Sequence, residues 1–256
     1  MGTSTRHLTG RELEDFGRDG FLVIRGLYGP DEMRLVSAWI DELAARPPKP
    51  GAEMPYYEDS VTEPGKRILS RIEKFAEYHD GFRRFVAADK LAGRVSELLG
   101  APAALFKEKI NFKLPGGSGF APHQDIQPGW DDYADYFISV LVTVDPSTVE
   151  NGCLELAAGQ HKRGLIGRKW QPLEGRELEG LDFVPYPMEP GDVAFFDCFV
   201  PHQSRPNRTA SRRRNLYLTY NRAASGDHRE RYFSDKRRSY PPDHEREPGK
   251  EYRFKV

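Results

Sequence analysis

The stretch "AALFKEKINFKL", residues 103–114, decides the fold. As an extended chain it places Phe106, Ile110, Phe112 and Leu114 on one face and Lys107, Lys109, Asn111 and Lys113 on the other. After it the texture of the chain changes. "YFISVLVTV" (136–144), "CLELAAG" (153–159), "DFVPYPM" (182–188), "GDVAFFDCFV" (191–200) and "RRNLYLTYN" (213–221) are short runs rich in β-branched and aromatic residues, separated by Gly, Pro, Asp and Asn. Many short strands behind a helical segment predict a mainly β fold, a sandwich or barrel braced by helices.

Upstream, "TGRE" at 9–12 reads as a capping box that opens a short helix. "FLVIRGL" (21–27) reads as a strand. "GPDEMRLVSAWIDELAAR" (29–46) is a helix, with Pro30 at its start and Met33, Leu35, Val36, Trp39, Ile40 and Leu43 at helical spacing. "RPPKPGAEMPYYEDSVTEPGK" (46–66) reads as a proline-rich surface loop that could serve as a lid. "DGFRRFVAADKLAGRVSELLG" (80–100) is a helical hairpin closed by Gly100. The expected organisation is one domain over 1–256, with a helical part to about 102, a β core over about 103–222 and a charged extension over 223–256. The aromatics Tyr232, Phe233, Tyr240 and Tyr252 suggest that the extension docks on the body.

The net charge of -1 gives no global pull toward nucleic acid or an anionic membrane. Two cysteines, Cys153 and Cys198, make no disulfide framework, and residues 1–20 contain no apolar signal core. No apolar run approaches the roughly 20 residues of a membrane helix. The expectation is a cytoplasmic protein with a small-molecule partner; oligomeric state is not legible.

"FAPHQDIQPGW" (120–130) sets His123 and Asp125 one residue apart, and His202 closes the run "GDVAFFDCFV". Two imidazoles and one carboxylate from separate strands form the facial triad of non-haem Fe(II) oxygenases, which leaves three positions of an octahedron open. A closed zinc site would more often recruit thiolates, and Cys198 lies four residues before His202 on the same strand. Eleven residues after His202 comes Arg213, with Ser204 in between. A planar guanidinium suits the distal carboxylate of 2-oxoglutarate, to which it offers two parallel charge-assisted bonds, and a hydroxyl adds a third.

"HQD" (123–125), "ENGCLELAAGQHKRG" (150–164), "EPGDVAFFD" (189–197) and "PHQSRPNRTASRRRNLYLTYN" (201–221) together resemble the phytanoyl-CoA dioxygenase family, in the branch that includes ectoine hydroxylase. The resemblance implies a double-stranded β-helix, a cupin-like jelly roll. It implies Fe(II) on His123, Asp125 and His202, with 2-oxoglutarate on Arg213 and Ser204. It also implies use of O2, with ascorbate as the reductant in vitro. Halogenating relatives carry a small residue at the carboxylate position, so Asp125 favours hydroxylation or another C–H oxidation. Asn111 is implied to reach 2-oxoglutarate, Lys109 to line the cavity, and Trp130 to wall the co-substrate side. Arg212 and Arg214 alternate with the anchor and should face solvent or a partner.

Taken as residues alone, the lysines of 106–114 read equally well as a solvent face. If Lys109 points inward, the substrate should carry an anionic group. Asp131, Asp132 and Asp135 could then attract an ammonium. Specificity is expected in variable loops at 46–66, 128–136 and 165–183 and in the tail. Two other classes stay open from the sequence: a non-catalytic jelly-roll binding protein, and a cupin metalloenzyme that does not use 2-oxoglutarate.

Overall fold

The computed structural model describes residues 6–252. Two antiparallel sheets face each other, as the short apolar runs require. The larger contains β1 (Phe21–Ile24), β2 (Met54–Asp59), β3 (Arg67–Glu73), β4 (Ala103–Lys113), β6 (Phe137–Thr143), β9 (Val193–Asp197) and β11 (Arg213–Arg222). Its order is β1-β9-β6-β11-β4-β3-β2. The smaller, ordered β5-β10-β7-β8, contains β5 (Phe120–His123), β7 (Leu154–Leu156), β8 (Val184–Tyr186) and β10 (His202–Ser204). Every run quoted from residue 103 onward becomes a strand.

Helices α1 (Gly10–Asp19), α2 (Pro30–Ala45), α3 (Asp80–Ala87) and α4 (Asp89–Leu99) cover the outer face of the large sheet. Thr9 and Glu12 cap α1 reciprocally, the Glu12 amide donating to Thr9 Oγ1 at 3.2 Å and the Thr9 amide to Glu12 Oε2 at 2.6 Å. Met33, Val36, Ile40 and Leu43 are buried along one stripe of α2, each stabilising by about 1.5–3 kcal/mol. They meet Ile110, Phe112, Leu216 and Leu218 of the sheet.

Three expectations need correction. The segment 46–66 is not simply a loop: Met54–Asp59 pairs with Arg67–Glu73, and that hairpin extends the large sheet beyond β4. Phe106 does not share a face with Ile110. The β4–β11 register skips it, with Lys107 opposite Thr219 and Leu105 opposite Tyr220, and this bulge turns Phe106 to the inner side against Trp130 and Phe137. Arg214 does not face solvent. It is 1 % exposed and held by Asp145 and Asp41, each at 2.8 Å, beneath α2. Arg212 does remain half-exposed, beside Asp41.

The extension docks on the body, as its aromatics suggest. It forms α5 (Arg229–Ser239), which buries Tyr232 and Phe233. Charges hold it as much as rings do. Arg229 meets the fully buried Glu108 of β4 at 2.6 Å, and Lys236 meets Glu73 of β3 at 2.6 Å. Burial alone would raise Glu73, but Lys236, Arg71 and Lys107 outweigh it and hold the carboxyl down at about 2. Lys236 is pushed down by burial to about 8 and stays charged at neutral pH.

A carboxyl whose folded pKa lies below its ordinary 4.5 contributes stability above 4.5 and loses it as pH falls toward 2. The urea midpoint of the parent should therefore drop between pH 5 and pH 3. Glu73→Gln should be weaker at pH 7 by about 3 kcal/mol and should lose less over the same acid range. Parallel pH curves for the two proteins would refute this role.

Among the glycines, Gly152 is fixed most tightly. It turns the chain after Asn151 with φ 77°, and a Cβ there would lie 2.0 Å from the Arg205 carbonyl oxygen. No helix among the described residues is long and apolar enough to cross a membrane.

Candidate active site

Pairing of β10 with β5 sets His202 directly opposite His123. Their ring centroids are 4.2 Å apart. Just past the end of β5, Asp125 turns back, so that its Oδ1 lies 3.8 Å from His202 Nε2. One ligand atom from each of the three residues lies within 4.8 Å of the others, and among the described residues no other cluster of this kind occurs. Cys198 stays outside it, packed with Phe137 and Ile126.

Both rings are oriented by backbone carbonyls. Ala121 O is 2.7 Å from His123 Nδ1, and Val200 O is 2.9 Å from His202 Nδ1. A carbonyl only accepts, so each Nδ1 carries the proton and each Nε2 presents a lone pair to the centre. Ser139 donates to Asp125 Oδ2. Burial pushes His123 down to about 3, with repulsion from His202 adding to it, and burial likewise lowers His202. Burial would raise Asp125, but His202, Lys109 and His123 hold it below its usual range. All three groups therefore stand in their metal-binding protonation state at neutral pH. Neutral nitrogen and carboxylate oxygen are the donors that ferrous iron accepts.

Gln124 and Gln127, which the sequence reading passed over, build the loop that carries Asp125. Gln124 donates to the carbonyls of Gly164 and Phe199 at 2.7 and 2.6 Å. Gln127 accepts from the Gln124 amide at 2.8 Å. Gln124 had a signal in its place between two inward-facing ligands, whereas nothing in the sequence marks Gln127.

Arg213 is 2 % exposed. Asn215, its amide oxygen turned toward the guanidinium, accepts from Nη1 at 2.6 Å. Nε has no partner, and among the described residues no carboxylate pairs with the group. Across the ladder, Lys113 faces Arg213 and donates to Ser204 Oγ at 2.7 Å and to the Arg205 carbonyl at 2.5 Å. Burial, then repulsion from Arg213, lowers Lys113 to about 6. Asn111 faces the same interior with its Oδ1 unpartnered. A buried guanidinium without a counter-charge, beside a lysine that an incoming anion would recharge, a hydroxyl and an amide, fits a dicarboxylate.

The three lysines of β4 all turn inward. Lys107 and Lys109 line a cavity of about 650 Å³ that opens onto His123 and Asp125. Trp130 also lines it but stands at the Lys107 end, its ring 4.4 Å from that ammonium. That is about 20 Å along the strand from Lys113, so Trp130 does not wall the Arg213 end as the resemblance implied. The rest of the rim comes from the loop after Asp125, from Trp170 and from α5. Among the described residues, none of 46–66 reaches the cavity. Of the acidic set only Asp132 lines the cavity. Asp131 and Asp132 pair with Lys169, and Asp135 lies 3.8 Å from Arg222.

The family model for phytanoyl-CoA dioxygenase (PhyH) matches residues 16–215. A 2-aminoethylphosphonate dioxygenase from uncultured bacterium HF130_AEPn_1 is 40 % identical over 236 residues, covering 91 % of this chain and 89 % of its own. A methylphosphonate hydroxylase of Gimesia maris is 38 % identical, covering 91 % and 88 %. Among solved structures, EctD from S. alaskensis with 2-oxoglutarate and 5-hydroxyectoine superposes with a TM-score of 0.73 at 26 % identity, covering 88 % and 80 %. A passive binding protein and a metalloenzyme that ignores 2-oxoglutarate are thereby set aside. The chain belongs to the phytanoyl-CoA dioxygenase family and is an Fe(II)- and 2-oxoglutarate-dependent dioxygenase.

Proposed function

We propose that this enzyme hydroxylates a C–H bond of a small anionic metabolite, an organophosphonate before all others. The observation that carries the reading is a three-ligand metal face beside a buried guanidinium that no carboxylate answers. In it, His123, Asp125 and His202 hold the ferrous ion. Arg213 takes the distal carboxylate of 2-oxoglutarate through parallel N–H···O bonds, helped by Lys113 and Ser204, and Asn111 borders the keto-acid end. Iron, when bound, supplies the activation of oxygen. The protein positions both substrates and keeps water out.

The stoichiometry is R–CH2–X + O2 + 2-oxoglutarate → R–CH(OH)–X + succinate + CO2. One oxygen atom enters the new hydroxyl and the other enters succinate. Two relatives named for phosphonates, at 40 % and 38 % identity, support X as a phosphono group over ectoine, whose named enzyme is 28 % identical.

The test incubates the protein aerobically with Fe(II), ascorbate and 2-oxoglutarate, and with 2-aminoethylphosphonate, methylphosphonate or ectoine in turn. Succinate release coupled to gain of one oxygen by a phosphonate is expected. Faster oxidation of ectoine, or no succinate with any of them, would overturn the reading.

A further inference from the structure

Lys107 and Lys109 line the cavity, whereas Lys113, Ser204 and Arg213 form a second basic cluster outside its lining. The Phe120 ring lies 5.7 Å from both the Lys109 and the Lys113 ammonium and so stands between them. On the Lys113 side are Ser204 and Arg213, the co-substrate end. On the other side Glu73 takes up Arg71 and Lys236. Lys107 and Lys109 are left with rings. Lys107 sits 4.4 Å over Trp130 and 5.4 Å from the Tyr232 ring, with the Tyr232 hydroxyl at 3.4 Å. Lys109 sits 5.0 Å over Tyr217. Among the described residues neither has a carboxylate within ion-pair distance.

Such an arrangement is costly. Burial pushes both ammoniums below their ordinary value, and Lys107 is lowered further by Lys109 and then Lys236. Cation–π contacts return only part of that cost. Being two residues apart on one strand, the pair points into the same space about 7 Å apart at the backbone. A tetrahedral dianion spans that gap with an oxygen for each lysine. A carboxylate brings one charge and one plane.

Resting on the function proposed above, we propose that Lys107 and Lys109 form the head-group subsite for the phosphono dianion of the substrate, with Tyr232 of α5 as its outer wall. Lys109 lines the same cavity as the metal ligands His123 and Asp125, so a group held there sets its neighbouring carbon beside the metal face. The oxidised C–H bond is therefore the one on the carbon attached to phosphorus. The remainder of the molecule points to the rim, where Tyr133, Tyr240 and Trp170 leave room for a short substituent. Residue 232 lies beyond the matched family region.

Calorimetric titration of the iron-loaded, 2-oxoglutarate-bound enzyme without oxygen tests the proposal. In Lys107→Met and in Lys109→Met the Kd for 2-aminoethylphosphonate and methylphosphonate should rise roughly tenfold or more, as loss of one charge-assisted contact implies. The Kd for 2-oxoglutarate should stay within about twofold. The parent should bind β-alanine and acetate, the matching carboxylates, roughly tenfold more weakly than the phosphonates. Removing an unpaired buried ammonium should not lower the melting temperature. Lys109→Gln carries the same binding expectation should the methionine variant melt early. Unchanged phosphonate affinity in both methionine variants, or β-alanine bound as tightly as 2-aminoethylphosphonate, would overturn the subsite. A parent that yields no succinate counts against the oxygenation itself and leaves these binding results to decide the subsite alone.

Discussion

An Asp125→Ala variant is expected to release succinate at less than about one hundredth of the parental rate and to retain little iron. Losing an outer partner of a metal ligand already costs about 10–100-fold, so losing a ligand should exceed the upper end. The structure gives the loss two further components. Without the carboxylate the Ser139 hydroxyl loses its acceptor, and the Lys109 ammonium loses the nearest negative charge. Two imidazoles alone also leave the centre neutral. Iron content of the purified protein, read with a colorimetric chelator beside the succinate assay, checks both effects. Parental iron in an inactive variant would mean that Asp125 acts in chemistry and not in holding metal. Parental iron with parental activity would end its assignment altogether.

Arg213→Met should weaken 2-oxoglutarate binding by about two to three orders of magnitude, the cost of breaking a buried charge-paired contact of about 3–5 kcal/mol. The same variant should melt at or above the parental temperature when no 2-oxoglutarate is added. The opposite signs follow from one fact: the guanidinium is buried with Nε unpartnered and no carboxylate beside it. The free protein carries a desolvated charge that, under the proposed function, the co-substrate would answer. Asn215 loses a donor in the variant, which offsets part of the gain. Arg213→Lys should not rescue binding, since a point charge lacks the planar fork. Thermal melts with and without 2-oxoglutarate, alongside calorimetry, read both effects. A large loss of stability without ligand would show the guanidinium to be a structural brace instead.

The strands after residue 103 were legible because their apolar side chains face a core on at least one side. The ligands of the centre were legible because the chemistry needs those residue types at strand ends. The hairpin β2–β3 escaped notice for the opposite reason. Arg71 and Glu73 point inward and answer each other and Lys236, so the polar residues of "RILSRIE" occupy positions where alternation expects apolar ones. The same holds for "RERYFSDKRRS". Its buried face is Arg229, Tyr232, Phe233 and Lys236, and two of those four carry charges whose partners lie on strands more than 100 residues earlier. Hydropathy has no means of anticipating such pairs. Lys107, Lys109 and Lys113 posed a related ambiguity, since an inward row of lysines and a solvent face spell the same sequence. Phe106 was misplaced because one extra residue in a ladder reverses parity without leaving a mark in composition.

The turn at Gly152 has a reach that its position hides. The Arg205 carbonyl that leaves no room for a side chain there also fixes the Lys113 ammonium, which lies 3.4 Å from the carbonyl of Gly152 itself. Any bulk grafted onto that bend would be felt through one shared oxygen as a displaced cation. A buried corner of the chain thus sets where the Lys113 side chain can stand.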